Sequence, residues 1–194
     1  EKWQPQGRAR TLDLYEDLTR QHLDSDLIIW PETAVPAFYD SVAEGYIEDI
    51  RTLARASQTD LLIGVPIRQP TADPQESRYY NSVVALGEQL EFYHKQHLVP
   101  FGDYVPFGNF LRSIGGVFNL PMSDFSSGGV QSPLNVAGQQ AAITICYEII
   151  FAEEVRRNIA EATMLVNVSN DAWFGSSLGL FQHFQMVRMR AIET

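Results

Sequence analysis

Apolar residues recur at helical spacing in residues 8–23, where Leu12, Tyr15, Leu18 and His22 or Leu23 share one face. The run Asp26-Leu27-Ile28-Ile29-Trp30 that follows reads as a buried strand ended by Pro31. The same alternation repeats, with a helix predicted over 42–56 (Tyr46, Ile47, Ile50, Leu53 and Ala54 on one side) and a strand over 61–65. Residues 70–77 are polar and turn-rich. Beyond them, 81–86 and 89–93 flank Gly87-Glu88 as a β-hairpin, with Lys95 just after it. Residues 98–130 are too broken by Pro and Gly for a regular element and too apolar for a plain linker. The apolar runs 141–145 and 164–168, separated by a helix around 153–162, read as central strands covered on both faces. A last helical pattern occupies 181–194. Helices alternating with buried strands, plus one hairpin, predict an α/β layered fold with a mixed sheet, in a single domain spanning 1–194.

Composition narrows the function classes. The 194 residues are 45% apolar and 20% charged, an ordinary globular balance with enough chain for one sizeable core. A net charge of -10 argues against a nucleic-acid partner, because counterion release needs clustered Lys and Arg. No apolar run approaches the roughly 20 residues that span a bilayer, so the chain by itself reads as soluble. The lone Cys146 excludes an intrachain disulfide, and no Cys/His spacing suggests a structural zinc site. The uncapped last helix and polar first residues read as the ends of an excised piece.

Three reactive side chains stand immediately beyond strands: Glu32, Lys95 and Cys146. In α/β folds that is where ligands and catalytic groups gather. A thiol of ordinary pKa needs a base or a nearby cation to become a nucleophile. A partly desolvated Glu32 beside Trp30 and Pro31 could take its proton. The Lys95 ammonium could favour the thiolate and stabilise an oxyanion formed on an attacked carbonyl. Together they describe acyl transfer through a thioester. Position alone leaves open an inert core cysteine, a turn-capping glutamate and a solvated lysine. It also leaves open a dyad of Cys146 with His94, His97 or His183, the last falling on an amphipathic helix as a packed or capping residue.

The wording around the three residues resembles the carbon-nitrogen hydrolase (nitrilase) superfamily and, within it, the apolipoprotein N-acyltransferase family. The segments are Ile29-Trp30-Pro31-Glu32-Thr33-Ala34-Val35-Pro36, Tyr93-His94-Lys95-Gln96-His97-Leu98-Val99-Pro100-Phe101-Gly102 and Ile145-Cys146-Tyr147-Glu148. Downstream, Val166-Asn167-Val168-Ser169-Asn170-Asp171-Ala172-Trp173-Phe174-Gly175 and Gln182-His183-Phe184-Gln185-Met186 resemble the acyltransferase branch, so the likeness spans nearly the whole chain.

The resemblance implies an α-β-β-α sandwich, here truncated at both ends. It implies Glu32 as general base, Lys95 as transition-state stabiliser and Cys146 as the acylated nucleophile. Asp103 stands where the family has a glutamate and, with Tyr147 and Glu148, belongs to the implied supporting set. The implied reaction needs no cofactor or metal. It takes a fatty acyl chain from a phospholipid and passes it to the N-terminal amine of a diacylglyceryl-cysteine apolipoprotein. The implied location is the bacterial inner membrane, with this domain facing the periplasm and the transmembrane helices of the full-length family absent from it. The apolar loops carrying Phe101, Tyr104, Phe107, Phe110, Trp173 and Phe174 fit either a lipid-binding surface or a satellite core beneath the loops. Two other readings are a soluble amidase with the same triad and a non-catalytic lipoprotein-binding module.

Overall fold

The computed structural model describes residues 3–73, 76–100, 102–104 and 124–194, and all of their side chains but that of Trp173. Two sheets carry the described strands. In the first, β1 (Leu27–Ile29) runs parallel to β2 (Asp60–Pro70), and β3 (Ser77–Leu86) and β4 (Leu90–His94) continue it antiparallel. In the second, β6 (Gln139–Ile145) lies between β5 (Leu134–Val136), antiparallel, and β7 (Met164–Val168), parallel.

The period of two along each strand builds the layers, because successive side chains leave opposite faces. Leu61, Ile63, Val65, Val84 and Leu86 pack outward on Trp30, Ile47, Ile50 and Ala54, under α1 (Pro5–Gln21) and α3 (Glu48–Ala56). The intervening Leu62, Val83, Ala85 and Tyr93 face Ala141, Ile143, Ile145, Val166 and Val168 of the second sheet. On the far side, α4 (Ala152–Asn158) packs against β6, and α5 (Gly179–Glu193) against the 3₁₀ turn Cys146–Ile150. The order of layers is α-β-β-α, as the resemblance implied. No helix among the described residues is long and apolar enough to cross a membrane.

Several elements depart from the pattern reading. Strand β2 continues past residue 65 through Pro66 and the polar Arg68-Gln69, because β3 pairs with it as far as Ser77. β1 covers only residues 60–62, so among the described residues no strand pairs with Pro66 on that side to miss the absent N–H. The helix read over 42–56 is broken, with α2 (Tyr39–Val42) leading into a π turn at Ala43–Ile47 around Gly45 before α3. β5 was not foreseen, since three residues cannot display a period. Of the two strands read as central, β6 is paired on both sides, while β7 pairs on one side only among the described residues. Most of the broken stretch 98–130 lies outside the described residues.

Candidate active site

The inward-facing row of each strand is aliphatic through the middle of the sandwich and turns polar at one end. On β3, Val83 and Ala85 give way to Asn81; after β4, Tyr93 is followed two residues on by Lys95. Residues 64, 146 and 170 come to the same end from β2, β6 and β7. The site is where the core's inner layer runs out.

Glu32 sits on a tight turn stapled to β2. Trp30 N–H donates to Leu62 O at 2.8 Å, Val35 N–H to Gly64 O at 3.1 Å, and Ala34 N–H closes the turn on Pro31 O at 3.2 Å. Thr33 takes a left-handed φ of 51° to make the reversal. The turn presses so closely on β2 that a Cβ at Gly64 would lie 2.1 Å from Pro31 O and 2.9 Å from the Glu32 Cα, which is why this strand carries glycine mid-run. The carboxylate is buried. Asn81 Nδ2 donates to Oε1 at 2.7 Å and the Asn170 N–H to Oε2 at 2.9 Å.

Lys95 is 2% exposed, a rare condition for lysine, and it has two carboxylate partners. Its Nζ is 2.8 Å from Asp103 Oδ2 and 3.7 Å from Glu32 Oε1. Burial pushes its pKa down, but Glu32 and Asp103 outweigh it and hold the ammonium above the usual lysine value. Asp103, one methylene shorter than the glutamate implied by the resemblance, still reaches the ammonium, and its other anchor is the Val99 N–H at 2.8 Å. The backbone of Lys95 is gripped on both sides, by Asn81 O accepting from its N–H and by Gly128 N–H donating to its carbonyl, at 2.8 and 2.9 Å. A Cβ on Gly128 would meet His94 Cβ at 2.4 Å, so only glycine allows that approach.

Cys146 opens the 3₁₀ turn with φ 55°, a left-handed conformation that costs a non-glycine residue about 1–3 kcal/mol and is characteristic of functional turns. Its thiol is pushed up to about 11 by burial first and by the Glu32 charge second, against Lys95, the Ser169 hydroxyl and the Tyr147 N–H, which pull it down. The resting group is therefore a protonated thiol. Alkylation of Cys146 by iodoacetamide is expected to keep climbing with pH past about 10 in the parent, where an ordinary cysteine has reached its plateau. A plateau near pH 8 would contradict the arrangement.

Glu148 ties two of these segments together. Its buried carboxylate accepts from Ile145 N–H (2.7 Å) and Tyr93 Oη–H (3.1 Å) on one oxygen, and from Gln96 N–H (2.6 Å) and His97 N–H (3.0 Å) on the other. Burial raises its pKa above the usual carboxylate value, against the lowering effect of those backbone donors. The residue before the cysteine and the residues after the lysine thus hang on one side chain. Tyr147 differs, being 41% exposed with its ring edge-on to Phe151; only its N–H turns toward the thiol.

Of the aromatic positions singled out in the sequence, Phe174 packs its ring near His183, and half-buried Tyr104 makes isolated main-chain bridges with Asp124 and Pro100. Phe101, Phe107, Phe110 and the Trp173 side chain lie outside the described residues. The histidine dyads find no support: His94 Nδ1 bonds Ser82 Oγ, His97 Nδ1 bonds Glu154, and His183 bonds Asp171 and a main-chain carbonyl. Asn81, Asn170, Asn167 and Ser169 were not foreseen as site residues. Ser169 and Asn170 stand in a quoted family segment, but nothing in the spacing says which side chain or N–H meets Glu32 or Cys146.

The comparisons agree with this architecture. The chain is 46% identical to the apolipoprotein N-acyltransferases of Methylococcus capsulatus and Pseudomonas aeruginosa, over 100% of its own length. It spans 38% of the length of each of these relatives. Among solved structures, the Caenorhabditis elegans NitFhit protein superposes with a TM-score of 0.70 at 19% identity, over 96% of this chain and 45% of that one. A carbon-nitrogen hydrolase from Helicobacter pylori superposes with a TM-score of 0.64 at 17% identity, over 95% and 65%. At such identities the likeness establishes the fold. The carbon-nitrogen hydrolase family model matches residues 3–194, the span that contains every element described above, and the chain belongs to that family.

Proposed function

We propose that this chain is the catalytic domain, spanning 1–194, of a phospholipid:apolipoprotein N-acyltransferase, with Cys146 as nucleophile, Glu32 as general base and Lys95 as oxyanion stabiliser. The observation that carries the reading is the burial of a lysine between Glu32 and Asp103 at the mouth of a left-handed cysteine turn. The likeness to named acyltransferases over the full chain supplies the substrate class.

Cys146 Sγ attacks the ester carbonyl of a phospholipid as its proton passes to Glu32. The oxyanion is met by the Lys95 ammonium and the Tyr147 N–H. Collapse expels the lysophospholipid oxygen, which takes the proton from Glu32 and leaves a thioester. The amine of a diacylglyceryl-cysteine lipoprotein then attacks the thioester, loses a proton to Glu32, and releases the thiol, which recovers that proton. Glu32 alternates between base and acid, a role suited to a carboxylate held by Asn81 and Asn170 yet adjacent to an acidifiable thiol. In the whole protein the reaction would take place at the bacterial inner membrane, on its periplasmic side.

A test follows labelled acyl chain from phospholipid vesicles to a peptide bearing an N-terminal diacylglyceryl-cysteine, with small amides offered in parallel. Transfer to the peptide amine supports the reading; turnover of small amides without lipid transfer would favour a soluble amidase instead. Glu32→Gln is expected to separate two properties. Removing the carboxylate takes away a charge that raises the thiol, so alkylation near neutral pH speeds up while acyl transfer falls by about 10²-fold or more. If both fell together, Glu32 would be a structural group.

A further inference from the structure

The left-handed turn of Cys146 needs an external hold, and α5 supplies one at each end. The Cys146 carbonyl accepts from Asn167 Nδ2 at 3.1 Å on the β7 side and is met by His183 Nε2 at 3.1 Å on the helix side. Two helical turns on, Arg190 donates from Nε to Ile149 O at 3.0 Å and from Nη2 to Ile150 O at 3.1 Å. The two positions are seven residues apart and therefore share a face of α5. The carbonyls at the start and finish of the nucleophile's 3₁₀ turn are thus bound by one helix.

His183 is buried, and its ring is oriented by a second group. Nδ1 faces both oxygens of Asp171, at 3.1 and 3.2 Å, and Asp171 in turn accepts from the Ser169 hydroxyl. The Ser169 side chain also acts on the Cys146 thiol, drawing its pKa down against the effect of burial. A carbonyl can only accept, so His183 must carry a hydrogen on Nε2 in this contact. The Cys146 carbonyl is thus linked through the His183 ring to Asp171.

We propose that His183, held between the Asp171 carboxylate and the Cys146 carbonyl, is a positioning residue that fixes the nucleophile's left-handed turn and so aims its thiol at Glu32 and Lys95. The proposal rests on reading Cys146 as the nucleophile, but not on which acyl donor it uses. It is tested in the full chain by the second-order rate of Cys146 alkylation with iodoacetamide, alongside kcat and KM for acyl transfer and the thermal midpoint. His183→Phe keeps a ring in the cavity and loses the donor; His183→Gln fills it less well but brings an amide N–H within reach of the carbonyl.

A positioning role makes the phenylalanine variant the slower one. Alkylation and kcat fall about 10- to 10²-fold with KM within about twofold, the scale of an ångström of misplacement. The glutamine variant recovers to within about threefold of the parent. Asp171→Asn, which can donate to Nδ1 and leave Nε2 protonated, also stays within about threefold. A phenylalanine variant that alkylates like the parent, or a glutamine variant no better than phenylalanine, overturns the proposal in favour of simple packing. Failure of acyl transfer in the parent, with the alkylation order preserved, would count against the proposed substrates and leave the role of His183 standing.

Discussion

Replacing Lys95 by methionine is expected to cost about 3–5 kcal/mol of stability, the range found when one partner of a buried ion pair is removed. The loss is large because methionine fills much of the volume but leaves the Asp103 and Glu32 carboxylates buried without their cation. Adding Asp103→Asn to the same chain removes one orphaned charge and is expected to return part of the stability. The two changes should therefore be strongly non-additive, as contacting members of one network are. Activity behaves otherwise. Both the single and the double variant should lose acyl transfer by about 10²–10³-fold, the scale of one lost oxyanion donor. Chemical denaturation and turnover measured on the same preparations check both halves. Additive stability effects would mean that the ion pair is not the coupled unit described here.

Gly64→Ala is the second change of large expected effect. The added methyl would sit 2.1 Å from Pro31 O, against backbone that the hydrogen bonds of Trp30 and Val35 hold in place. Something must shift, and the contact can be relieved only by moving the Glu32 turn away from β2 against those bonds. Overpacking of this kind costs about 1–3 kcal/mol. Displacement of the carboxylate by an ångström would lower turnover about 10²-fold. Alanine at Gly45, where nothing lies within 4 Å of an added Cβ, serves as a control for the loss of glycine itself. Equal behaviour of the two variants would show that the turn does not depend on this close approach.

The division between what the sequence revealed and what it hid follows the range of the interactions. The apolar runs of β1, β6 and β7 announced themselves locally, and the hairpin at Gly87-Glu88 needed only its two flanks. The placement of Glu32, Lys95 and Cys146 beyond strands was likewise legible, because strand ends are readable from composition. Pairing was not. Strand β2 outruns its apolar stretch because β3 accompanies it, and a strand seen alone carries no sign of its partner's length.

The strand read over 61–65 gives no reason for Gly64, because that reason is a main-chain crossing from another segment. For Lys95, position alone leaves a solvated residue open beside the catalytic reading; its burial is visible only when Asp103 and Glu32 are brought to it from eight and sixty-three positions away. His183 reads from the sequence as packed or capping; it is both buried and bonded to a main-chain carbonyl, but that carbonyl belongs to Cys146. The resemblance carried the three principal residues, while Asn81 and the Ser169–Asp171–His183 chain became visible as site contacts only through folded geometry.

The most direct test of the central claim is intact-mass analysis of the whole protein after brief incubation with phospholipid vesicles and no acceptor, for the parent, Cys146→Ala and Glu32→Gln. The account predicts a fatty-acyl mass on the parent that hydroxylamine removes and that maps to Cys146, none on the alanine variant, and a greatly slowed gain on the glutamine variant. An acyl adduct that survives in Cys146→Ala, or one that forms at the parent rate without the Glu32 carboxylate, would contradict it.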